Sequence, residues 1–231
     1  MKTIGLIGGM SWQSSKVYYE LINERTQELL GGSHSSKSIM LSVDFDEIER
    51  LSFAGDWETM ALQMKEAAQQ LERGGADVIV LCTNTIHLVS EAIVDAVDIP
   101  FIHIADATAQ AIQNKGLQKV VLLGTAFTME KEFYKGHIKD NYQIDVIIPE
   151  EADRQMIHSI IYDELVKGIF TDEAKNKCIE VIEKLRAQGA EGVIMGCTEL
   201  PILIPENEVP IPSFDTSKLH AYKAVDWVLS D

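Results

Sequence analysis

Two segments of the chain match each other without a gap. GADVIVLCTNT begins at Gly75, and GAEGVIMGCTE begins 114 residues later at Gly189. Weaker matches surround them: IGLIGGM near the start resembles VVLLGTAFTM in the middle, and IPFIHIADAT resembles VPIPSFDTS near the end. A chain that carries one pattern twice is expected to fold as two copies of the same arrangement.

The pattern within each copy alternates short apolar runs with amphipathic stretches, which predicts a βα repeat. The predicted strands cover residues 3–7, 38–43, 78–82, 101–104, 120–123, 144–147, 193–196 and 211–214. Because apolar strands separated by helices form parallel sheets covered on both faces, we expect an α/β fold. It comprises two similar doubly wound domains related by a pseudo-twofold axis. Such folds bind ligands at the carboxyl ends of strands, so the active site is expected in the cleft between them.

Composition and charge exclude several classes of partner. The net charge of -16 argues against nucleic acid and means that an anionic substrate needs local positive charge. No apolar run approaches the roughly 18 residues of a membrane span, and glycines interrupt any signal-peptide core. We therefore expect a cytoplasmic protein without a membrane partner. The cysteines Cys82, Cys178 and Cys197 lack paired CxxC spacing, so free thiols and no metal are expected.

The 114-residue offset also distinguishes Cys82 from its neighbour Thr83. It places Thr83 opposite Cys197 and Cys82 opposite Gly196. Because side chains of a strand alternate between faces, Cys82 and Thr83 cannot both face a ligand. Cys82 is expected to be a buried apolar residue, and Cys178 to pack within a helix.

These residues resemble the cofactor-independent aspartate/glutamate racemases over essentially the whole chain. The resemblance rests on IGLIGGM, on NTIH from Asn84 to His87, on GCTE from Gly196 to Glu199, and on their spacing. It implies that the last helix returns to the first of the two α/β domains, so the domains are residues 1–103 with 215–231 and residues 104–214. It also implies an amino-acid substrate, no cofactor, and a homodimer. Members of the family use two cysteines, one before Asn-Thr and one in Gly-Cys-Thr. The first of these is replaced by Thr83.

Racemisation explains why two acid/base groups are needed, since one proton leaves a face of the α-carbon and another arrives at the opposite face. A thiol with a pKa of about 8.5 yields usable thiolate near neutral pH, whereas a hydroxyl lies nearer the roughly 15.7 of water. We therefore expect Cys197 to act as base and Thr83 to return a proton. The predicted function is a pyridoxal-independent racemase for aspartate and/or glutamate.

The residues expected to bind the substrate lie near predicted strand ends or match positions that the family uses. They are Met10, Arg50, Ser52, Asn84, Thr85, Lys167, Thr198 and Glu199. The resemblance assigns Lys167 to the substrate, and Arg50, with Ser52 as the alternative, to a carboxylate. Lys167 before a glycine is also an ordinary helix C-terminal residue, and Asn-Thr also makes an ordinary turn. His87 and Glu199 either orient Thr83 and Cys197 or relay protons for them, or they cap a helix or lie behind the residues that contact the substrate.

Two other functions fit the same residues. An isomerase or decarboxylase of the same superfamily would use Cys197 alone, because a single protonation or covalent step needs one thiol. A noncatalytic small-ligand binding protein would keep the cleft without depending on Cys197. A nucleotide cofactor is not expected, since Gly8 and Gly9 lack the third glycine of the dinucleotide fingerprint.

Overall fold

The structure, a computed structural model, describes residues 1–230. The chain divides into two compact units: the first consists of Met1–Ile104 and the chain from His220 onward, and the second of Ala105–Leu219. Among the described residues, no helix combines the length and the hydrophobicity needed to cross a bilayer.

A parallel sheet forms the centre of the first unit. Within the described chain its four strands are β1 (Ile4–Gly8), β2 (Ser38–Ser42), β3 (Val78–Leu81) and β4 (Phe101–Ile102). They lie in the order β2-β1-β3-β4. Both central strands are completely buried, as continuous apolar strands are when helices cover the two faces of a sheet.

The helices of the first unit pack on both faces of this sheet. They are α1 (Trp12–Leu30), α2 (Phe45–Ala54), α3 (Trp57–Arg73) and α4 (Ser90–Val94), with a 3-10 turn at Thr85–Val89. On one face Ile79 and Leu81 of β3 pack against side chains of α2 and α3. On the other face Val78 and Val80 pack against α1 and the segment that follows His220. Alternation along β3 thus supplies two separate apolar cores.

The second unit repeats this sheet. Its four strands within the described residues are β5 (Lys119–Gly124), β6 (Asp145–Ile147), β7 (Gly192–Gly196) and β8 (Ser213–Asp215), in the order β6-β5-β7-β8. The remaining helices are α5 (Ile104–Asn114), α6 (Ala126–Glu130), α7 (Glu132–Tyr142), α8 (Glu151–Ser159), α9 (Asp172–Ala187), α10 (Leu200–Leu203) and α11 (Thr216–Leu229). A π-helical turn at Ile160–Glu164 and 3-10 turns at Leu165–Lys167 and Glu206–Glu208 complete the described elements.

The equal strand orders confirm the internal duplication and its 114-residue offset. Gly75 and Gly189 both end the preceding helical segment with positive φ, 92° and 93°. Asp77 and Glu191, separated by the same offset, each accept a backbone N–H bond of 2.6 Å from the residue just before β1 or β5. The matched segments therefore have the same local structure.

All eight predicted strands are present in the described chain, and no end is displaced by more than two residues. The clearest displacement is in β8, which begins at Ser213 rather than at residue 211. Pro212 has no N–H and so cannot donate to a strand ladder. Its carbonyl accepts a bond of 2.9 Å from Val193, and regular pairing begins after it.

The turn after β1 depends on Gly9. Gly9 has φ of 96°, and a Cβ atom at this position would overlap the Val43 carbonyl oxygen. Its N–H donates to Ser15 Oγ at 2.7 Å, which ties the turn to the first turn of α1. A side chain is excluded here both by conformation and by contact with the chain beyond β2.

Replacing Gly9 with alanine should destabilise the fold more than replacing Gly55, which is left-handed but has open space around it. Gly55→Ala is expected to cost about 1–2 kcal/mol through conformation alone. Gly9→Ala adds roughly 1–3 kcal/mol of overpacking. Urea unfolding of the two variants measures the difference, and equal losses would contradict the close contact.

Candidate active site

Cys197 directly follows β7 and is positioned by the backbone of that strand. The preceding residue, Gly196, lies so close to β5 that a Cβ atom would sit 2.7 Å from the Leu123 carbonyl oxygen. Since this oxygen belongs to backbone, it cannot move aside as a flexible side chain can. The thiol of Cys197 therefore emerges at a fixed point on the edge of the sheet, with 9% of the residue exposed.

A carboxylate lies beside this thiol. The Sγ of Cys197 donates to Glu199 Oε2 at 3.0 Å, and the hydroxyl of Thr198 donates to the same oxygen at 2.8 Å. Glu199 is only 5% exposed. The predicted residues Cys197, Thr198 and Glu199 thus form one hydrogen-bonded cluster, which we call the thiol–carboxylate cluster.

The electrostatics of this cluster keep the proton on sulfur. Burial raises the pKa of Cys197 well above its usual range, and the charge and hydrogen bond of Glu199 raise it further. The backbone N–H groups of Glu199 and Leu200 act in the opposite direction. The expectation that this thiol ionises readily near neutral pH is therefore wrong for Cys197 in this structure. A base must take its proton, and Glu199 is in contact with it.

At the end of β3 the structure separates Cys82 from Thr83. Cys82 is fully buried in the core beside α1, and burial raises the pKa of its thiol. Its predicted burial is confirmed. Its carbonyl oxygen accepts a bond of 3.1 Å from Ser14 Oγ. Thr83 is half-buried, and no described residue of its unit hydrogen-bonds its hydroxyl.

His87 contacts the backbone of Thr83 rather than its hydroxyl. Its Nε2 accepts from the Ile104 N–H at 3.2 Å, so the proton of the neutral ring is on Nδ1. Nδ1 donates to the Thr83 carbonyl oxygen at 2.7 Å. Of the roles predicted for His87, this geometry supports the orientation of Thr83. It does not support a proton relay, because neither ring nitrogen contacts the Thr83 hydroxyl.

Three other predicted residues lie at the same edge of the first sheet. Met10 is buried in the turn after β1, and Asn84 and Thr85 begin the 3-10 turn after β3. Because β1 and β3 are adjacent, with Ile7 paired to Leu81, their carboxyl ends lie side by side. Polar groups of two neighbouring strand ends are therefore available to one ligand.

The remaining predicted residues lie on helical segments further from the strand ends. Arg50 is exposed on α2, whereas Ser52 is buried and donates to the Ile48 carbonyl oxygen at 2.8 Å, a bond within the helix. Lys167 lies in the 3-10 turn after α8, with its side chain 60% exposed and its Nζ 4.0 Å from Asp163. An exposed pair of this kind contributes little to stability, so Lys167 can turn to another anion.

Sequence reasoning missed two residues that hold the strand-end turns. Ser15 accepts the N–H of Gly9, as described above, and His158 accepts the N–H of Ala126 at 3.1 Å. For Ser15 a signal exists, because it lies in the first turn of the helix that follows the glycine pair. For His158 no local signal exists, since its partner lies 32 residues earlier.

In each unit, polar side chains follow the carboxyl ends of adjacent parallel strands. One unit presents a thiol bonded to a carboxylate and the other presents a hydroxyl at the equivalent residue. These features define an α/β protein equipped for proton transfer at its strand ends.

Comparison with known proteins agrees with this class. The profile of the Asp/Glu/Hydantoin racemase family matches residues 7–224, so the chain belongs to that family, and the resemblance inferred from the sequence is confirmed. The broad specificity amino-acid racemase RacX of Bacillus subtilis is 26% identical over 98% of each chain.

Two crystal structures are similar over the full length of both chains. One, from Yersinia pestis and provisionally named an Asp/Glu racemase, is 47% identical with a TM-score of 0.93 and 100% coverage of each chain. The other, an aspartate racemase homologue from Pyrococcus horikoshii, is 34% identical with a TM-score of 0.88 and the same coverage. Both the sequence and the two-sheet α/β fold therefore place the chain among amino-acid racemase relatives.

Glu199→Gln should lower the pKa of the Cys197 thiol, because the substitution removes the carboxylate charge that raises it. Alkylation by iodoacetamide, followed by mass spectrometry of the Cys197 peptide, should accelerate and its pH midpoint should fall. Cys178, whose pKa burial raises to about 12, provides the internal reference in the same sample. An unchanged pH profile would show that Glu199 does not control the thiol.

Proposed function

We propose that this chain is a pyridoxal-independent amino-acid racemase that acts on aspartate and/or glutamate, with Cys197 and Thr83 as its acid/base groups. The observation that carries the proposal is the hydrogen bond of 3.0 Å between Cys197 and Glu199 at the end of β7. Membership of the family supports the reaction class. The duplicated register supports Thr83 as the second group, because it is the residue equivalent to Cys197.

In the proposed reaction Cys197 removes the α-proton of the L-enantiomer. Its own proton first moves along the hydrogen bond to Glu199, which leaves a thiolate and a neutral carboxylic acid. The thiolate then takes the α-proton, and the electron pair of the broken C–H bond remains on the substrate as a carbanion delocalised into its carboxylate. The sulfur is again a thiol at the end of this step.

Thr83 completes the inversion by donating its hydroxyl proton to the opposite face of the carbanion. A hydroxyl suits this direction because donation to a strong base requires no resting alkoxide. The resulting alkoxide regains a proton from solvent, which the half-buried position of Thr83 allows. Glu199 gives up to solvent the proton that it received from Cys197, so every group returns to its starting state. In the reverse direction the hydroxyl must act as base, which its high pKa disfavours.

An acidic amino acid is proposed as substrate because the two similar crystal structures carry aspartate or Asp/Glu racemase names. Lys167 would supply the positive charge that a chain of net charge -16 otherwise opposes. The Bacillus subtilis relative is named for broad specificity, so the test uses a panel of acidic and neutral amino acids.

Proton NMR in deuterated water tests the proposal, since racemisation replaces the α-proton by deuterium and inverts the chiral centre. Cys197→Ala should abolish both signals while circular dichroism shows an intact fold. Cys82→Ala is the matched control: it should retain most activity and lose about 1 kcal/mol of stability, as expected for a small buried deletion. Near-native turnover in Cys197→Ala, or its loss in a folded Cys82→Ala protein, would overturn the assignment.

A single-thiol isomerase or decarboxylase is the second candidate. The observation that favours it is that backbone groups bond both ring nitrogens of His87. Neither nitrogen is therefore available to take a proton from the Thr83 hydroxyl. The same NMR experiment distinguishes it, because decarboxylation removes the substrate carboxylate signal in carbon spectra. A noncatalytic binding protein would bind an amino acid without any exchange.

Thr83→Cys should raise kcat for the D-enantiomer by roughly tenfold or more. The reason is that a thiol loses its proton far more readily than a hydroxyl, and the thiolate formed can act as the base. The ratio kcat/KM must stay equal in the two directions, since free enantiomers have equal free energy. The change therefore appears in kcat and KM separately. Thr83→Ser, which keeps the hydroxyl, is the control and should behave like the parent. No gain in Thr83→Cys would refute the division of roles.

A further inference from the structure

His158, in the last turn of α8, has a ring whose neutral tautomer is set by a backbone N–H. The Ala126 N–H donates to Nδ1 at 3.1 Å, so the proton of the neutral ring is on Nε2. Burial lowers the pKa of His158, while the carboxylates of Glu130 and Asp163 act in the opposite direction. No described residue of its unit accepts a hydrogen bond from Nε2. The ring therefore offers one N–H donor.

This donor lies near the same sheet edge as Cys197. The strands β5 and β7 are adjacent, with Gly124 paired to Gly196, so the segments that follow them leave the sheet at the same level. Cys197 follows β7 at once, and Ala126 begins α6 two residues after β5. The residue that binds the Ala126 N–H is thus part of the surroundings of this strand end.

The duplicated frame gives α8 a counterpart in the first unit. The strand orders match β6 with β2, so α8 after β6 corresponds to α2 after β2. Arg50 and Ser52, the two residues that the family resemblance offers for carboxylate binding, lie on α2. His158 is the residue of α8 that reaches a strand-end turn of its own unit.

Packing holds the ring in place. Its centroid lies 4.8 Å from the ring of Tyr162 and 6.2 Å from that of Phe127. The π-helical turn Ile160–Glu164 begins two residues after His158, and such turns occur frequently at functional sites. A fixed ring loses little freedom when it binds a ligand.

The charges near His158 do not prevent an anion from approaching. Glu130 is bound by Arg154, with Nε 2.9 Å from Oε1. Asp163 faces Lys167 at 4.0 Å. Each neighbouring carboxylate is therefore accompanied by a cation, and an incoming carboxylate meets a neutral donor with positive charge nearby.

We propose that His158 binds a carboxylate group of the substrate by donating a hydrogen bond from Nε2. This inference rests on the proposed racemase function and identifies a specificity-determining residue of the same site. The Ala126 N–H sets the tautomer, and the Nε2–H contacts a carboxylate oxygen, an acceptor for which a charge-assisted bond forms.

Two substitutions separate this role from a structural one. His158→Asn keeps an acceptor where Nδ1 accepts from Ala126 but removes the donor at Nε2. His158→Gln places an amide N–H near Nε2 and removes the acceptor. His158→Asn should raise KM for L-aspartate about tenfold, the loss of one hydrogen bond to a charged group, with little change in kcat. His158→Gln should stay closer to the parent. A purely structural role predicts the reverse order.

Kinetics with L-aspartate and L-alanine distinguish the two carboxylates of the substrate. A rise in KM confined to aspartate identifies the side-chain carboxylate, and a rise for both identifies the α-carboxylate. Calorimetric binding of L-aspartate in a Cys197→Ala background separates this inference from the racemase proposal. If the parent shows no α-proton exchange but His158→Asn weakens binding, the inference stands and the racemase proposal fails. If the parent exchanges and neither KM nor binding changes, the inference is wrong.

Discussion

At the end of β7, Gly196 lies against the Leu123 carbonyl oxygen so closely that only hydrogen fits between the two backbones. Gly124, its paired residue on β5, is under the same restriction, because a Cβ atom there would lie 3.0 Å from the Gly196 carbonyl oxygen. Backbone contact therefore fixes the level at which both strands end. The positions of Cys197 and of the turn at Ala126 follow from that level.

The two units place different chemistry on equivalent strand ends. In the second unit the strand-end side chain, Cys197, is bonded to the Glu199 carboxylate. In the first unit the neighbouring side chain, His87, bonds the backbone of the strand-end residue rather than its side chain. His87 links the Thr83 carbonyl oxygen to the Ile104 N–H. The Thr83 hydroxyl is thus held in place by its main chain while its proton is left unshared within that unit. Such a group can donate, whereas the cluster at Cys197 can both accept and donate.

Much of the fold could be predicted because its signals are local. Apolar runs identified each strand of the described residues, and a gap-free match of two segments set the register that separates Cys82 from Thr83. The site was less predictable. The bond from Cys197 to Glu199 depends on side-chain rotamers that spacing does not specify. The hydrogen bond between Ala126 and His158 joins residues that are 32 positions apart, so no local sequence pattern predicts this contact. Contacts of that kind follow from the packing of α8 on its sheet and from no single motif.

The raised pKa of Cys197 is compatible with a role as base, because the pKa describes loss of the proton to bulk water. Transfer from Sγ to Glu199 leaves the charge of the buried pair at -1 on either side of the exchange. Ionisation of the thiol to solvent would add a second buried negative charge, and desolvation opposes that strongly. Transfer to Glu199 only moves the charge already present, so desolvation opposes it far less. Thr198 donates to the same Glu199 oxygen, so this oxygen accepts hydrogen bonds from both the thiol and the hydroxyl of the cluster. Because Cys197 Sγ and Glu199 Oε2 share one proton, the pair can act as one base, with Sγ accepting the substrate proton while Oε2 holds the shared one.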